Sequence, residues 1–317
     1  MKPTHYTRRD MLRTGAALAI SPAIVSVAQA AETEAPAKGP VVGISTLGFG
    51  SYSNRQLAQE LAAEGFHTIQ LFLNQSDSQY WMYNGRTDVS ALTPERCKEI
   101  ANEYRSAGIA IHSIGVYTNL IHPDPAERAA NLDYFEAMMR IGENMDVRVF
   151  ITEAGHYDVE GSVPYHFQTD AWNQMVETAK ELARRAEAHN ATVLLEPYFM
   201  SFFASAKRLR VFIEEVASSR VRALLDPANL LELNDLDEMF TQLGPYIDCV
   251  HAKDRKLHVD RGVPAGQGDI DYPKFVALAA KHAPKAPLVL EYVGPNDYRQ
   301  ARDILQKAIS SPAVLET

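Results

Sequence analysis

Eight short apolar runs, each followed by a stretch of amphipathic sequence, constrain the fold of this chain more than any other feature. They are Val41–Leu47, Thr68–Leu73, Ile109–Val116, Val147–Thr152, Thr192–Glu196, Arg222–Asp226, Ile247–His251 and Leu288–Tyr292. Each is nearly continuous in apolar side chains, the pattern of parallel strands buried on both faces. The intervening segments are one-sided. Leu209, Phe212, Ile213 and Val216 follow the i, i+3, i+4, i+7 spacing of a helix face, and Phe275, Leu278, Ala279 and His282 repeat it. Helix starts agree: Ser53 and Gln56 make a capping box, Thr93-Pro94 puts proline at a first helical position, and Asp271 can cap a helix beginning at Pro273. Eight strand–helix units with no break in composition predict one α/β domain over residues 40–317, a single (β/α)8 barrel. An open doubly wound sheet would carry a glycine-rich first turn, and Gly43, Gly48 and Gly50 do not make G-x-G-x-x-G.

The first thirty residues read as an address. Arg8-Arg9 lies in a basic leader, an apolar stretch runs from Thr14 to Val27, and Ala28-Gln29-Ala30 supplies small residues for a signal peptidase. The stretch falls short of the ~20 apolar residues a spanning helix needs, and Pro22 interrupts it, so no stable membrane anchor is expected. The reading is a twin-arginine signal peptide over residues 1–30 and an Ala/Glu/Pro linker over 31–39. It makes the twin-arginine export machinery a partner and the periplasm the destination. Cleavage would remove four basic side chains and Asp10, moving the formal charge from −9 to −12. Such a surface repels phosphate backbones, which argues against nucleic-acid binding. Although the periplasm permits disulfides, Cys97 falls in a helical pattern and Cys249 in a strand, and two free buried thiols are expected. The sequence leaves homo-oligomerisation open.

Barrels of this kind gather their active sites at the C-terminal ends of the strands. There the fifth run ends in Glu196-Pro197, the sixth in Asp226-Pro227, the seventh in His251-Ala252-Lys253-Asp254 and the eighth in Glu291-Tyr292. One carboxylate closing an apolar run reads as a salt-bridged core acid, because an unpaired buried charge is costly. Four potential ligands at one level, on four consecutive strands, read as a site for one divalent metal. The prolines bias Glu196 and Asp226 away from helical geometry, so each carboxylate extends into the mouth. Three carboxylates and an imidazole suit a hard cation with open positions: manganese is favoured, with magnesium, cobalt or zinc as the alternatives.

The chain resembles the sugar phosphate isomerase/epimerase superfamily, the xylose-isomerase-like barrels, over its whole mature length. The segments that carry the likeness are Glu196-Pro197, Asp226-Pro227-Ala228-Asn229, His251-Ala252-Lys253-Asp254, Val263–Tyr272 with its Gly-Gln-Gly-Asp-Ile-Asp core, and Glu291. The resemblance implies that Glu196, Asp226, His251 and Glu291 bind the metal and that Glu196 and Glu291 also serve as acid and base. It departs from the family at two positions. Many relatives carry histidine where this chain has Asn229, in contact with a substrate oxygen, and glutamate where the second run reaches Gln70. The metal set is intact, whereas the substrate and reaction subtype are open.

For a substrate with a carbonyl and an adjacent hydroxyl, α-proton removal by a carboxylate gives an enediolate. Return of the proton to the opposite face is epimerisation, and return to the neighbouring carbon is isomerisation. Loss of a β-substituent makes the enzyme a lyase or dehydratase. Phosphorylated sugars are chiefly intracellular, so an exported enzyme points to a free ketose, a keto-sugar acid or an oxidised glycoside. Substrate contacts are expected from Asn229, Lys253, Asp254, Gln70, and from Glu153 and His156 at the end of the fourth run. Lys253 can equally be a surface ion pair. Trp81 and Tyr83 can wall a sugar subsite or pack the core, and Phe199, Phe202 and Phe203 can wall the pocket or cover the next helix. Two rivals remain: a metal-dependent DNA-repair endonuclease, which should have more histidines and a basic face, and a non-catalytic sugar-binding barrel, which has no need of both glutamates.

Overall fold

The computed structural model describes residues 40–155, 166–199 and 201–311. The expected signal peptide and linker lie outside the described residues. The strands are β1 (Val42–Ser45), β2 (Thr68–Leu71), β3 (Ala110–Gly115), β4 (Val149–Thr152), β5 (Thr192–Leu195), β6 (Val221–Leu225), β7 (Ile247–Lys256), β8 (Asp260–Pro264) and β9 (Leu288–Leu290). Strands β1 to β7 and β9 pair in parallel in the order β6-β5-β4-β3-β2-β1-β9-β7, and β6 also pairs with β7. That last pairing closes the sheet into a (β/α)8 barrel, a TIM barrel, with β9 as its eighth stave.

The helices are α1 (Asn54–Ala63), α2 (Pro94–Ser106), α3 (Pro125–Asn144), α4 (Thr169–Ala188), α5 (Ala206–Val216), α6 (Pro227–Leu230), α7 (Leu236–Leu243), α8 (Tyr272–His282) and α9 (Tyr298–Ile309). Their starts follow the local chemistry. The capping box of Ser53 and Gln56 forms in both directions, Thr93 accepts from the Arg96 amide ahead of Pro94, and Asp271 accepts from the Lys274 amide. No helix among the described residues is long and apolar enough to cross a membrane.

One segment departs from the sequence reading. Strand β7 continues past His251 to Lys256, and Asp260–Pro264, which none of the eight apolar runs includes, folds back on it antiparallel, pairing Lys253 with Pro264 and Asp254 with Val263. Hydropathy ends the strand early because Lys253, Asp254 and Arg255 are charged. They are nevertheless buried, each held by partners of opposite charge or by backbone amides.

Two cores result. The larger lies between sheet and helices, and a smaller one fills the barrel with Phe72, Tyr117, Ile151, Leu194, Leu224, Cys249 and Val289. This inner core positions the site. Side chains two apart on a strand share a face, so Glu196, Asp226, His251 and Glu291, each two residues beyond Leu194, Leu224, Cys249 and Val289, face the lumen at its C-terminal mouth. Both cysteines are free and buried, as expected, and burial pushes the thiol of Cys97 up to about 11 and that of Cys249 to about 12.

Candidate metal centre and active site

The four expected ligands converge. Glu196, Asp226, His251 and Glu291 each offer an atom, and these atoms all lie within 4.8 Å of one another in a fully buried group. Asp226 is extended, with φ −109° and ψ 102°, as a residue before proline should be. Its Oδ1 accepts the Asn229 amide at 3.1 Å and caps α6, which leaves Oδ2 facing the group.

The imidazole shows whether a cation fits. The Nδ1 atom of His251 is buried without a hydrogen-bond partner, 3.3 Å from Glu291 Oε2, 3.4 Å from Glu196 Oε1 and 3.5 Å from Asp226 Oδ2. On the other side of the ring, Nε2 is 2.7 Å from Gln70 Oε1. A carbonyl oxygen accepts, so Nε2 carries a proton, and Nδ1 is the ring atom that faces the three carboxylates. Three carboxylates and an imidazole nitrogen around one point require a positive charge between them. Burial opposes charge on His251, yet Glu291 and Glu196 hold its pKa well above the usual imidazole value. In this environment a proton or a divalent cation neutralises the group, and the oxygen-rich donor set fits the cation.

Gln70 therefore acts on the imidazole and is not among the residues lining the cavity. Metal-ligating histidines are fixed by the acceptor on their second nitrogen, and losing it costs about 10–100-fold in affinity. Gln70→Leu should weaken manganese binding by that factor in a chelator competition, and Gln70→Glu should restore it. Unchanged affinity in Gln70→Leu would remove this role.

Lys253 is no surface residue. At 3% exposure its ammonium lies 2.7 Å from Asp226 Oδ2, 3.1 Å from Glu291 Oε2, 3.0 Å from Asn229 Oδ1 and 4.3 Å from the centre of the Tyr292 ring. Burial opposes its charge, but Asp226 and Glu291 keep its pKa well above normal. The same contacts, with His251, hold Glu291 well below the usual carboxylate range despite burial, whereas burial and Glu291 raise Glu196. Asn229 ties the two sides together, donating from Nδ2 to Glu196 Oε1 at 3.0 Å while accepting from Lys253. The Tyr117 hydroxyl takes the other oxygen of Glu196 at 2.5 Å.

Asp254 does not line the cavity. Its buried carboxylate accepts the backbone amides of Arg255, Gly268, Gly266 and Ile270 at 2.8–3.1 Å. That explains the Gly-Gln-Gly-Asp-Ile-Asp segment as a cradle of amides that secures β7 behind the site. A Cβ at position 268 would sit 2.3 Å from Asp254 Oδ1, and Gly266 has φ +79°. Asp254→Ala leaves four amides without their acceptor and should destabilise the fold by at least ~3 kcal/mol. Calorimetry should then read a melting temperature roughly 6–12 °C lower, and an unchanged one would refute the cradle.

A cavity of about 280 Å³ opens on this cluster, close to the lower end of small-molecule sites. Glu153, Glu196, Asn229, Lys253 and Glu291 form its polar side, and Phe72, Trp81, Tyr117 and Tyr292 its aromatic one. Trp81 meets Phe72 edge-on at 5.3 Å, and Phe72 stacks on Tyr117 at 5.6 Å. Trp81 and Tyr83 thus wall the site, while Phe202 and Phe203 pack against Phe212 of α5, away from the cavity, and Phe199 lies under Arg255. Glu153 accepts from Tyr83, and burial and Glu196 push its carboxyl up to about 8. His156 lies outside the described residues. The sequence reading missed Tyr117, Tyr198 and Tyr292. Tyr117 was accessible by counting two residues on from the end of β3, but nothing local marks Tyr198.

Comparison with known proteins agrees with this fold. The family described as xylose isomerase-like TIM barrel matches residues 58–309. A D-psicose 3-epimerase solved in the presence of D-fructose superposes with a TM-score of 0.65 at 16% identity, covering 84% of this chain and 96% of the other. The probable 3-DHS dehydratase involved in petrobactin synthesis from Bacillus anthracis gives 0.66 at 19% identity, covering 87% and 99%. A xylose isomerase-like TIM barrel protein from Mycobacterium smegmatis in complex with magnesium gives 0.63 at 16% identity, covering 87% and 98%. At such identities the likeness shows the fold. No protein of curated function matches the chain.

Proposed function

This chain belongs to the xylose isomerase-like TIM barrel family, and on that footing we propose that it is a divalent-metal-dependent isomerase or epimerase acting through an enediolate on a non-phosphorylated keto-sugar. The observation that carries the reading is the buried Nδ1 of His251, without a hydrogen-bond partner and turned toward three buried carboxylates beside a sugar-sized cavity.

Glu196, Asp226, His251 and Glu291 would hold the ion, with manganese favoured; the magnesium complex of the M. smegmatis relative supports a hard divalent cation. When bound, such a cation supplies Lewis-acid polarisation of a substrate carbonyl. The protein's own groups do the rest. Glu196 just after β5 and Glu291 just after β9 flank β6 and β7, so the two carboxylates can address opposite faces of a substrate between them, one removing the α-proton and the other returning it. Tyr117 and Asn229 each bond one oxygen of Glu196 and fix its orientation, and Lys253 does the same for Glu291. Phe72 and Trp81 receive the C–H face of a sugar ring and keep water from the reacting carbon.

Charge narrows the substrate. Glu196 and Glu291 line the cavity, and Lys253, the one cation among its described lining residues, is already shared between Asp226 and Glu291. Among the described residues a phosphate would find carboxylate repulsion and no unshared cation, which favours neutral sugars and accords with the export expected from residues 1–30. Incubation of the manganese-loaded enzyme with free and phosphorylated ketoses in heavy water tests the reading. Deuterium at the α-carbon of free sugars is the expected result, and uptake confined to sugar phosphates would sink it. A lyase acting on an oxidised glycoside is the second reading, favoured by the Glu153–Tyr83 pair.

A further inference from the structure

One buried carboxyl of the cavity stands outside the metal set. Glu153 is two residues beyond lumen-filling Ile151 on β4, and the last pair of the β4–β5 register, Thr152↔Leu195, brings it opposite Glu196 just after β5. Its Oε2 accepts the Tyr83 hydroxyl at 2.8 Å, just as Oε2 of Glu196 accepts the Tyr117 hydroxyl at 2.5 Å. The two tyrosine rings are 6.2 Å apart. Two tyrosine–glutamate pairs therefore stand side by side. The inner one belongs to the metal set, with Tyr117 7% exposed, and the outer one reaches the mouth, with Tyr83 43% exposed. Glu291 shares an ammonium, whereas the hydrogen bond to Glu153 comes from a neutral phenol. A buried carboxyl in that setting favours its protonated form and can donate a proton.

We propose that Glu153, positioned by Tyr83, is a general acid that protonates an oxygen leaving the carbon β to the substrate carbonyl, so that the site performs elimination on substrates carrying such a group. The proposal rests on the enediolate reading. In the step, the α C–H bond breaks and its proton passes to a glutamate of the metal set. The electron pair forms the C=C bond, the C–O bond at the β-carbon breaks, and the departing oxygen takes the proton of Glu153. The products are an unsaturated ketone and an alcohol, or water, and no oxidant or reductant is consumed. Exchange with solvent resets both carboxyls. In a pyranoside the anomeric oxygen leaves most readily, which places the proton on C2 and the carbonyl on C3. The substrate class is then a keto-glycoside whose departing group lies toward exposed Tyr83 at the cavity's rim.

The test compares two leaving groups in the manganese-loaded full chain, using the 3-keto forms of methyl and 4-nitrophenyl β-D-glucopyranoside in heavy water. Methanol needs a proton to leave, and 4-nitrophenol departs as an anion. Glu153→Gln should slow methanol release about 10²–10⁴-fold and 4-nitrophenol release less than about tenfold. Tyr83→Phe should move the same ratio in the same direction by a smaller factor. Because the ratio is read within one protein, partial misfolding cannot produce it. Equal losses for both leaving groups, or no loss, overturn the proposal. Deuterium uptake at C2 by the wild type without release of either alcohol overturns it and leaves the enediolate reading standing. No uptake and no release removes both.

Discussion

Asp226→Asn should emerge without a stoichiometric divalent ion and should lose the thermal stabilisation that manganese gives the wild type. Asparagine caps a helix as well as aspartate, so the bond from Oδ1 to the Asn229 amide and the start of α6 survive. What disappears is one anionic ligand from a group of four. A ligand that binds only the folded state stabilises it by RT ln(1 + [L]/Kd), about 2.7 kcal/mol at a hundredfold excess over Kd. In a domain of this size that is a rise of roughly 5–10 °C in melting temperature. The variant should rise by less than ~2 °C at the same manganese concentration. The metal-free proteins do not decide the matter, because two effects of the substitution oppose each other: Lys253 loses a carboxylate 2.7 Å away, while Glu196 and Glu291 lose a like charge beside them. The manganese-induced shift, with metal content by elemental analysis, is the readout. Equal shifts in the two proteins, or no shift in the wild type with manganese, magnesium, cobalt or zinc, would end the assignment of a metal centre here.

The ligand group was legible in the sequence because barrel strands announce themselves twice, once as apolar runs and once in the polar residue that ends each run. Leu194 before Glu196 and Val289 before Glu291 fill the lumen, and the alternation along the strand carries the lumen face to the ligand. The supporting contacts are a different matter. Gln70 and His251 are joined by a hydrogen bond across 181 positions, and nothing beside Gln70 marks it as an imidazole acceptor. Lys253 sits in a run of charges that reads as a solvated strand end, because hydropathy scores each charge alone and cannot see the carboxylates awaiting it. The strand Asp260–Pro264 was hidden for the same reason: its buried partners Lys253 and Asp254 are polar. Asp254 reads as a substrate contact by adjacency to His251, yet successive side chains on a strand point to opposite faces, and its carboxylate turns to the glycine cradle. The residues that close each strand's lumen face were readable one strand at a time, and the contacts that support them from other strands were not.

Glu291→Gln should slow interconversion of a keto-sugar about 10²–10⁴-fold at full manganese occupancy, and its pattern of isotope exchange should say which reaction the site runs. The amide keeps the shape of the side chain and an oxygen that can face the metal, but it cannot accept the α-proton. Metal content must be matched to the wild type, since Glu291 is also a ligand and weaker binding alone would mimic a catalytic loss. Glu196 and Glu291 stand at the C-terminal ends of β5 and β9, separated by β6 and β7. If each serves one face, Glu291→Gln should still exchange the α-proton of one epimer with heavy water, at Glu196, without converting it. Glu196→Gln should do the same for the other epimer. If a single carboxylate shuttles the proton between neighbouring carbons, one variant should be silent toward both sugars and the other should run near the wild-type rate, which is the behaviour of an isomerase. Wild-type exchange of both epimers by both metal-loaded variants would take the acid–base role away from the two glutamates, because no proton would then depend on either carboxylate.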